Sequence, residues 1–367
     1  MPKSKCVITR ITAAAIALTP LVSQVSAEEV YSQIVGAIAL EIPQESDVVV
    51  SFPFKQSTLY AGVASSSTLG SGTLTIGVDS TLTASEFATG SGDFPHSHYL
   101  SIESGALKGR TFSIVSNASD SITVDISDDD SISANDVATD DLISIAEFWT
   151  LGSAFPSGVG SVEESEPGLR NIEFILPSSS SNAESMNAEG VYFFSDGAWR
   201  QLGKPLSYIA DDLALAPQRA FVIRNNSDET LKSYFFGEVS DAPLAIPLAV
   251  DENDDIDSFV GIGRPLDVEI QDLGLESSGV FVETTNANDI QDRVLVYSLD
   301  ATGKNKKPVG EYYYYNSAWR KVGSDVNADL GSDIVEANMA LAVRKANLGT
   351  APTSSYQYWV NEWSLPQ

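Results

Sequence analysis

The sequence predicts an all-β protein assembled from small sandwich or barrel modules, with an internal duplication in its C-terminal half. Three observations carry this. Apolar and polar residues alternate with period two in short segments. Ser, Gly, Asn and Asp cluster between those segments. Sequence blocks recur 120 residues apart, as Trp199 and Trp319 do. Helical periodicity is confined to Asp211–Ala216 and Asp329–Met339, each sufficient for a turn or two.

The first element is a processing signal. Lys3, Lys5 and Arg10 precede an apolar run from Ile11 to Val22, and Val25-Ser26-Ala27 sets small residues before Glu28. That pattern reads as a secretory signal over 1–27. A membrane anchor needs about 20 apolar residues, and Pro20 interrupts this shorter run. Cleavage leaves 340 residues with 18 basic and 50 acidic side chains, a net charge of −32. The only cysteine, Cys6, leaves with the signal, so the exported chain has no disulfide and no thiol chemistry. So negative a field repels phosphate backbones and anionic lipid, which excludes nucleic-acid binding and electrostatic docking on membranes. No later segment is long and apolar enough for membrane insertion.

An N-terminal β-module is expected over 28–155. Val48–Phe52 forms a short apolar strand stopped by Pro53, and Thr73–Val78 alternates cleanly. Thr111–Val115 and Ser121–Ile126 flank a polar turn and should pair as a hairpin. This region is either a separate module or an insertion into the first repeat.

Two repeat modules follow, over 156–250 and 260–367, with 251–259 as an acidic linker. Ala198-Trp199-Arg200-Gln201-Leu202-Gly203 recurs as Ala318-Trp319-Arg320-Lys321-Val322-Gly323. Tyr192–Phe194 matches Tyr312–Tyr314, and Ala220–Arg224 matches Ala340–Arg344. Tyr234–Phe236 pairs more loosely with Tyr356–Tyr358, as loops absorb insertions better than strands. Each aromatic run, turn and Ala-Trp-Arg block should form a hairpin with Trp in the core and Arg in water. Gly203 and Gly323 should permit the bend that follows.

Phe148-Trp149-Thr150-Leu151-Gly152-Ser153-Ala154-Phe155-Pro156, Ser104–Phe112 and the two Ala-Trp-Arg-x-x-Gly hairpins resemble an uncharacterised family of secreted bacterial proteins. The resemblance implies a signal peptide and a β-rich exported protein. It implies no activity and supplies no catalytic residues.

Catalytic motifs are missing from the sequence. There is no Gly-x-Ser-x-Gly elbow, no His-Glu-x-x-His and no phosphate-binding loop, and Gly261-Ile262-Gly263 lacks the third glycine of a dinucleotide fingerprint. A glycosidase needs only two carboxylates, but nothing singles out a pair among fifty acids. The expectation is a protein that is not an enzyme. His96 and His98, the only histidines, share a face if extended and could hold an ion with Asp93. Calcium is the one cofactor the sequence suggests. Asp251, Asn253, Asp255 and Asp257 fall at positions 1, 3, 5 and 7 of a calcium-loop spacing, whereas Ile256 and Ile262 replace its Gly and its bidentate Glu. Asp125–Asp141 is a second acidic cluster.

The function expected first is a structural or interaction component of the cell exterior, secreted or surface-held, with a periplasmic site also compatible. Its partner would be another extracellular molecule or a glycan. The alternative is an extracellular polysaccharide-binding protein that uses Trp359, Trp363 and Tyr312–Tyr315; a hydrolase without recognisable motifs comes third. Exposure discriminates them. Aromatics on one solvent face favour the glycan, and buried tryptophans favour the scaffold.

Overall fold

A computed structural model describes residues 34–363, except 89, 91, 130, 165–167 and 179–186. The expected signal segment, Asp130 of the acidic cluster and the last four residues lie outside the described residues. The protein is all-β, in small sheets. β1 (Val35–Ile42) and β2 (Ser46–Ser51) come first. Six strands then close a barrel: β3 (Thr58–Leu69), β4 (Thr73–Val78), β5 (His98–Ile102), β6 (Thr111–Asn117), β7 (Ser121–Asp125) and β8 (Leu142–Glu147), in the order β3-β4-β7-β6-β5-β8. Period two sends Leu74, Ile76, Ile122 and Val124 inward, where they join Leu100, Ile114 and Ile145 in a core of the barrel's own. The expected β6–β7 hairpin is present.

Next come β9 (Trp149–Thr150), one helical turn at Leu151–Ala154, β10 (Ile172–Pro177), β11 (Ala188–Ser195), β12 (Ala198–Gln201), β13 (Ala214–Leu215), β14 (Ala220–Asn225) and β15 (Leu231–Glu238). The last stretch holds β16 (Leu244–Ala249), β17 (Ile256–Gly261), β18 (Val268–Glu269), β19 (Arg293–Val296), β20 (Gly310–Tyr315), β21 (Ala318–Lys321), β22 (Ile334–Val335), β23 (Ala340–Lys345) and β24 (Tyr356–Asn361). Two sheets of five strands share one plan, β12-β11-β10-β14-β2 and β21-β20-β19-β23-β17. Each has a two-stranded ribbon, β1–β15 or β16–β24, and a short pair, β13–β9 or β22–β18. These sets are called module 1 and module 2 below.

The pairing differs from the expected boundaries in two places. β1 and β2 do not belong with the barrel, because Val48, Val49 and Val50 pair with β14 and every residue of β2 is buried. The barrel therefore interrupts module 1. The segment 251–259 is not a linker throughout, since β17 starts at Ile256 and Asp257 and Ser258 are buried. The expected helical turns at 211–216 and 329–339 contain the short strands β13 and β22 instead. Those strands gain ladder partners in β9 and β18, which outweighs a weak local helical preference.

Both Ala-Trp-Arg hairpins form. Their turns place Asp196 and Gly197 at φ 52° and 67°, and Asn316 and Ser317 at 51° and 56°, the two positive values a tight hairpin with right-handed twist demands. Gly203 and Gly323 follow at φ 84° and 83°, where any side chain would strain the backbone. Trp199 and Trp319 are buried, and Trp199 Nε1 donates to Phe155 O at 3.0 Å. The arginines depart from expectation. Arg320 is buried and Arg200 half-buried, and the Nε of each turns back to a carbonyl of its own hairpin, Tyr315 O or Ser195 O.

The two modules pack through reciprocal contacts. Ser51 N donates to Asn338 O at 3.0 Å, and Gly261 N donates to Gln218 O at 2.8 Å. Val50 bridges Met339 as Val260 bridges Arg219. Small side chains at Ala220, Ala340 and Ala342 let the sheets approach beside Val49, Leu295 and Tyr297. Exchange of equivalent contacts in both directions is the pattern of a two-fold interface, here within one chain.

Candidate functional site

A cleft of about 320 Å³ opens where the barrel, module 1 and module 2 meet. The barrel contributes Ser113 of β6 and the turn Asp125–Asp129; module 1 contributes Gln218 and Arg219, just before β14. Module 2 supplies Phe259 of β17 and the outward face of its ribbon, with Tyr356 and Tyr358 two residues apart on β24. Their cross-strand partners are Ala249 and Pro247, compact residues beside the two rings.

Beside the cleft a clamp ties the barrel to the ribbon of module 2. Gly109 O accepts from Ala245 N at 2.8 Å, and a Cβ on Gly109 would sit 2.7 Å from that nitrogen. Gly109 also has φ 85°, so geometry and space both require glycine there. Beside it, the Arg110 guanidinium lies 3.6 Å from the Tyr358 ring centroid, and its Nη1 reaches Asp129 Oδ2 at 2.7 Å. Tyr358 Oη donates to the same carboxylate oxygen at 2.7 Å. Stacking, ion pair and hydrogen bond thus close a triangle between barrel and ribbon. Burial pushes the Asp129 carboxyl up, but bonds from Ser131 and Tyr358 and the charge of Arg110 outweigh it and hold it below the usual carboxylate range. Burial, then the bond to Asp129, raises the Tyr358 phenol, so it stays a donor.

The remaining charges leave the cleft acidic. Arg219 donates to Pro177 O and is ion-paired with Glu189. Arg110 is neutralised by Asp129. Asp125 and Asp128 have no ion pair among the described residues, and Asp125 Oδ1 accepts from Ser127 N at 2.9 Å. Neutral and cationic ligands suit such a slot, and anions do not.

The expected calcium ligands do not converge. Asp257 is buried on β17 and holds Arg344, its partner across the ladder, through two bonds of 2.7 and 2.8 Å. Asp251 Oδ1 accepts from the backbones of Asn253 and Asp254, which lower its pKa. Asp255 Oδ1 caps Asn347. Turn formation and one arginine thus use the oxygens that an ion would need. Among the described residues no group of three His, Cys, Asp or Glu could hold a metal. The histidines diverge too. His96 Nδ1 faces Ile114 O at 3.2 Å, whereas buried His98 meets Ser97 Oγ at 2.8 Å and Glu147 at 3.7 Å. In the second acidic cluster, Asp136 caps Ser133 and Asp141 caps Ala138.

Of the aromatics expected to bind glycan, Trp359, Tyr312 and Tyr313 are buried. Tyr314, Tyr315 and Trp363 are half-buried. The residues that line the cleft, Gln218, Arg219, Tyr356 and Tyr358, carry no signal in the sequence beyond the spacing of the two tyrosines and their loose match to Tyr234–Phe236. No family model, curated protein or solved structure matches the chain.

Proposed function

We propose that the protein is a structural or interaction component of the cell exterior that binds another protein through its first ribbon. The observation that carries this reading is a difference between the two ribbons. In module 2 the outward face of β16–β24 is covered by the barrel through Arg110 and Asp129. In module 1 the matching face of β1–β15 is largely exposed, touched among the described residues only at its Glu238 end, where Trp149 meets the Phe236 ring edge-on and Lys55 pairs with Glu238. Ala37 lies opposite Phe236 and Ala39 opposite Tyr234, with Val35 beyond. Val35, Tyr234 and Phe236 are 72%, 61% and 56% exposed. For a chain of net charge −29, an exposed apolar face lying between the Glu41–Lys232 and Lys55–Glu238 pairs is a surface that selection for solubility alone would not keep. Burial of Trp199, Trp319 and Trp359 supports a scaffold over an aromatic glycan platform.

Retention on the native cell exterior tests the reading. Tyr234→Glu with Phe236→Glu should release the protein into the medium while its melting transition stays close to wild type. Retention unchanged by the double substitution refutes it. The exported form should begin at Glu28, and an intact Met1 end would refute the secreted part.

A further inference from the structure

We propose that the cleft between the barrel and the two modules binds a neutral sugar unit of a polysaccharide. Its volume of about 320 Å³ falls within the range of small-ligand sites, which gather where domains meet. A sugar presents an apolar C–H face and a rim of hydroxyls, each both donor and acceptor. A site for it needs aromatic faces on one wall and mixed hydrogen-bonding groups on the other. The cleft supplies both. Tyr356 and Phe259, half-buried, supply apolar lining with Tyr358, while Gln218, Ser127 and Asp125 supply polar lining from module 1 and the barrel.

Charge narrows the class. With Arg219 in the cleft and Arg110 beside it already ion-paired, Asp125 and Asp128 disfavour phosphates, sulfated sugars and uronic acids. A neutral polyol loses nothing to that field, and carboxylate oxygens are strong acceptors for hydroxyl groups. The clamp strengthens the case, because Arg110 and Asp129 fix the Tyr358 ring before any ligand arrives, and preorganisation lowers the cost of binding. This site is separate from the exposed β1–β15 face, so either proposal can fail without the other.

Calorimetric titration of the exported full-length protein tests this, with cellohexaose, maltohexaose and hexa-N-acetylchitohexaose as sugars and spermidine as a cationic probe. The expected result is saturable binding of at least one sugar, with an affinity that does not change between low and high salt. Tyr356→Ala and Gln218→Ala should each weaken it by about tenfold or more, with melting transitions that match wild type. Binding of spermidine alone, fading as salt screens the carboxylates, would overturn the sugar in favour of an amine. Sugar binding that survives Tyr356→Ala combined with Gln218→Ala would place it elsewhere and overturn this site. Absence of binding by every probe would overturn the proposal outright.

Discussion

Ser51 and Gly261 face each other where the two modules meet, and a Cβ on Gly261 would lie 2.3 Å from the Ser51 Cβ. They occupy equivalent last positions of β2 and β17. Each backbone nitrogen donates to the opposite module. At such a point of near two-fold symmetry only one of the two equivalent positions can carry a side chain.

Gly261→Ala should therefore destabilise the protein by about 1–3 kcal/mol through overpacking. Adding Ser51→Gly should recover most of that loss, and the exchanged pair Ser51→Gly with Gly261→Ser should melt near wild type. Urea unfolding measures all three. Additive losses in the exchanged pair would mean that the residues do not compete for one space.

Arg110→Ala removes the cation between Tyr358 and Asp129 and leaves a carboxylate that is 6% exposed without its ion pair. The expected cost is roughly 3 kcal/mol. Faster amide hydrogen exchange should appear in β24 and β16 ahead of the barrel's own core. Arg110→Lys should recover only part, because an ammonium lacks the planar stack. Uniform exchange across the chain would argue against a local clamp.

Lys345 and Asp292 are 1% and 0% exposed and ion-paired, and Asp292 also accepts from Val282 and Ala346 nitrogens. Module 1 has a neutral residue, Asn225, at the end of the matching strand. Lys345→Met should cost about 3–5 kcal/mol by stranding the carboxylate. Lys345→Met with Asp292→Asn should be considerably less damaging, since the amide keeps an acceptor without the charge. Equal losses in the single and double variants would contradict this.

Burial lowers the His98 pKa from its ordinary 6.5, with Glu147 opposing the shift. Below pH 6.5 the unfolded chain gains a proton that the folded state resists. Stability should fall as pH drops from 6.5 through the folded pKa, and no further below it. His98→Gln should remove that slope from melts recorded between pH 7 and pH 5. A wild-type slope identical to that of His98→Gln would count against it.

Asp257→Ala should destabilise the protein with or without calcium, because it removes two charge-assisted bonds to Arg344. Asp251→Ala, at an exposed turn, should change little. Thermal melts in millimolar calcium and in sodium chloride of matched ionic strength should shift alike. A saturable shift confined to calcium would show that an ion displaces these internal bonds.

The sequence by itself determined the all-β class, the strands β4 and β7 and both Ala-Trp-Arg hairpins. These are set by alternation and turn chemistry within about ten residues of chain, where local sterics decide. Tertiary structure decided what those local rules do not reach. Val48–Val50 reads as a strand from sequence, but its membership of module 1 depends on a partner at Val222, across the inserted barrel. Asp257 has the spacing of a calcium ligand, and only the ladder shows that Arg344 lies opposite it. The cleft is the extreme case. Asp125, Gln218 and Tyr358 are far apart in the chain and individually ordinary, and they form one site because three β-bodies close on one another there. Alternation reports which side of a strand is apolar and nothing about which surface will cover it.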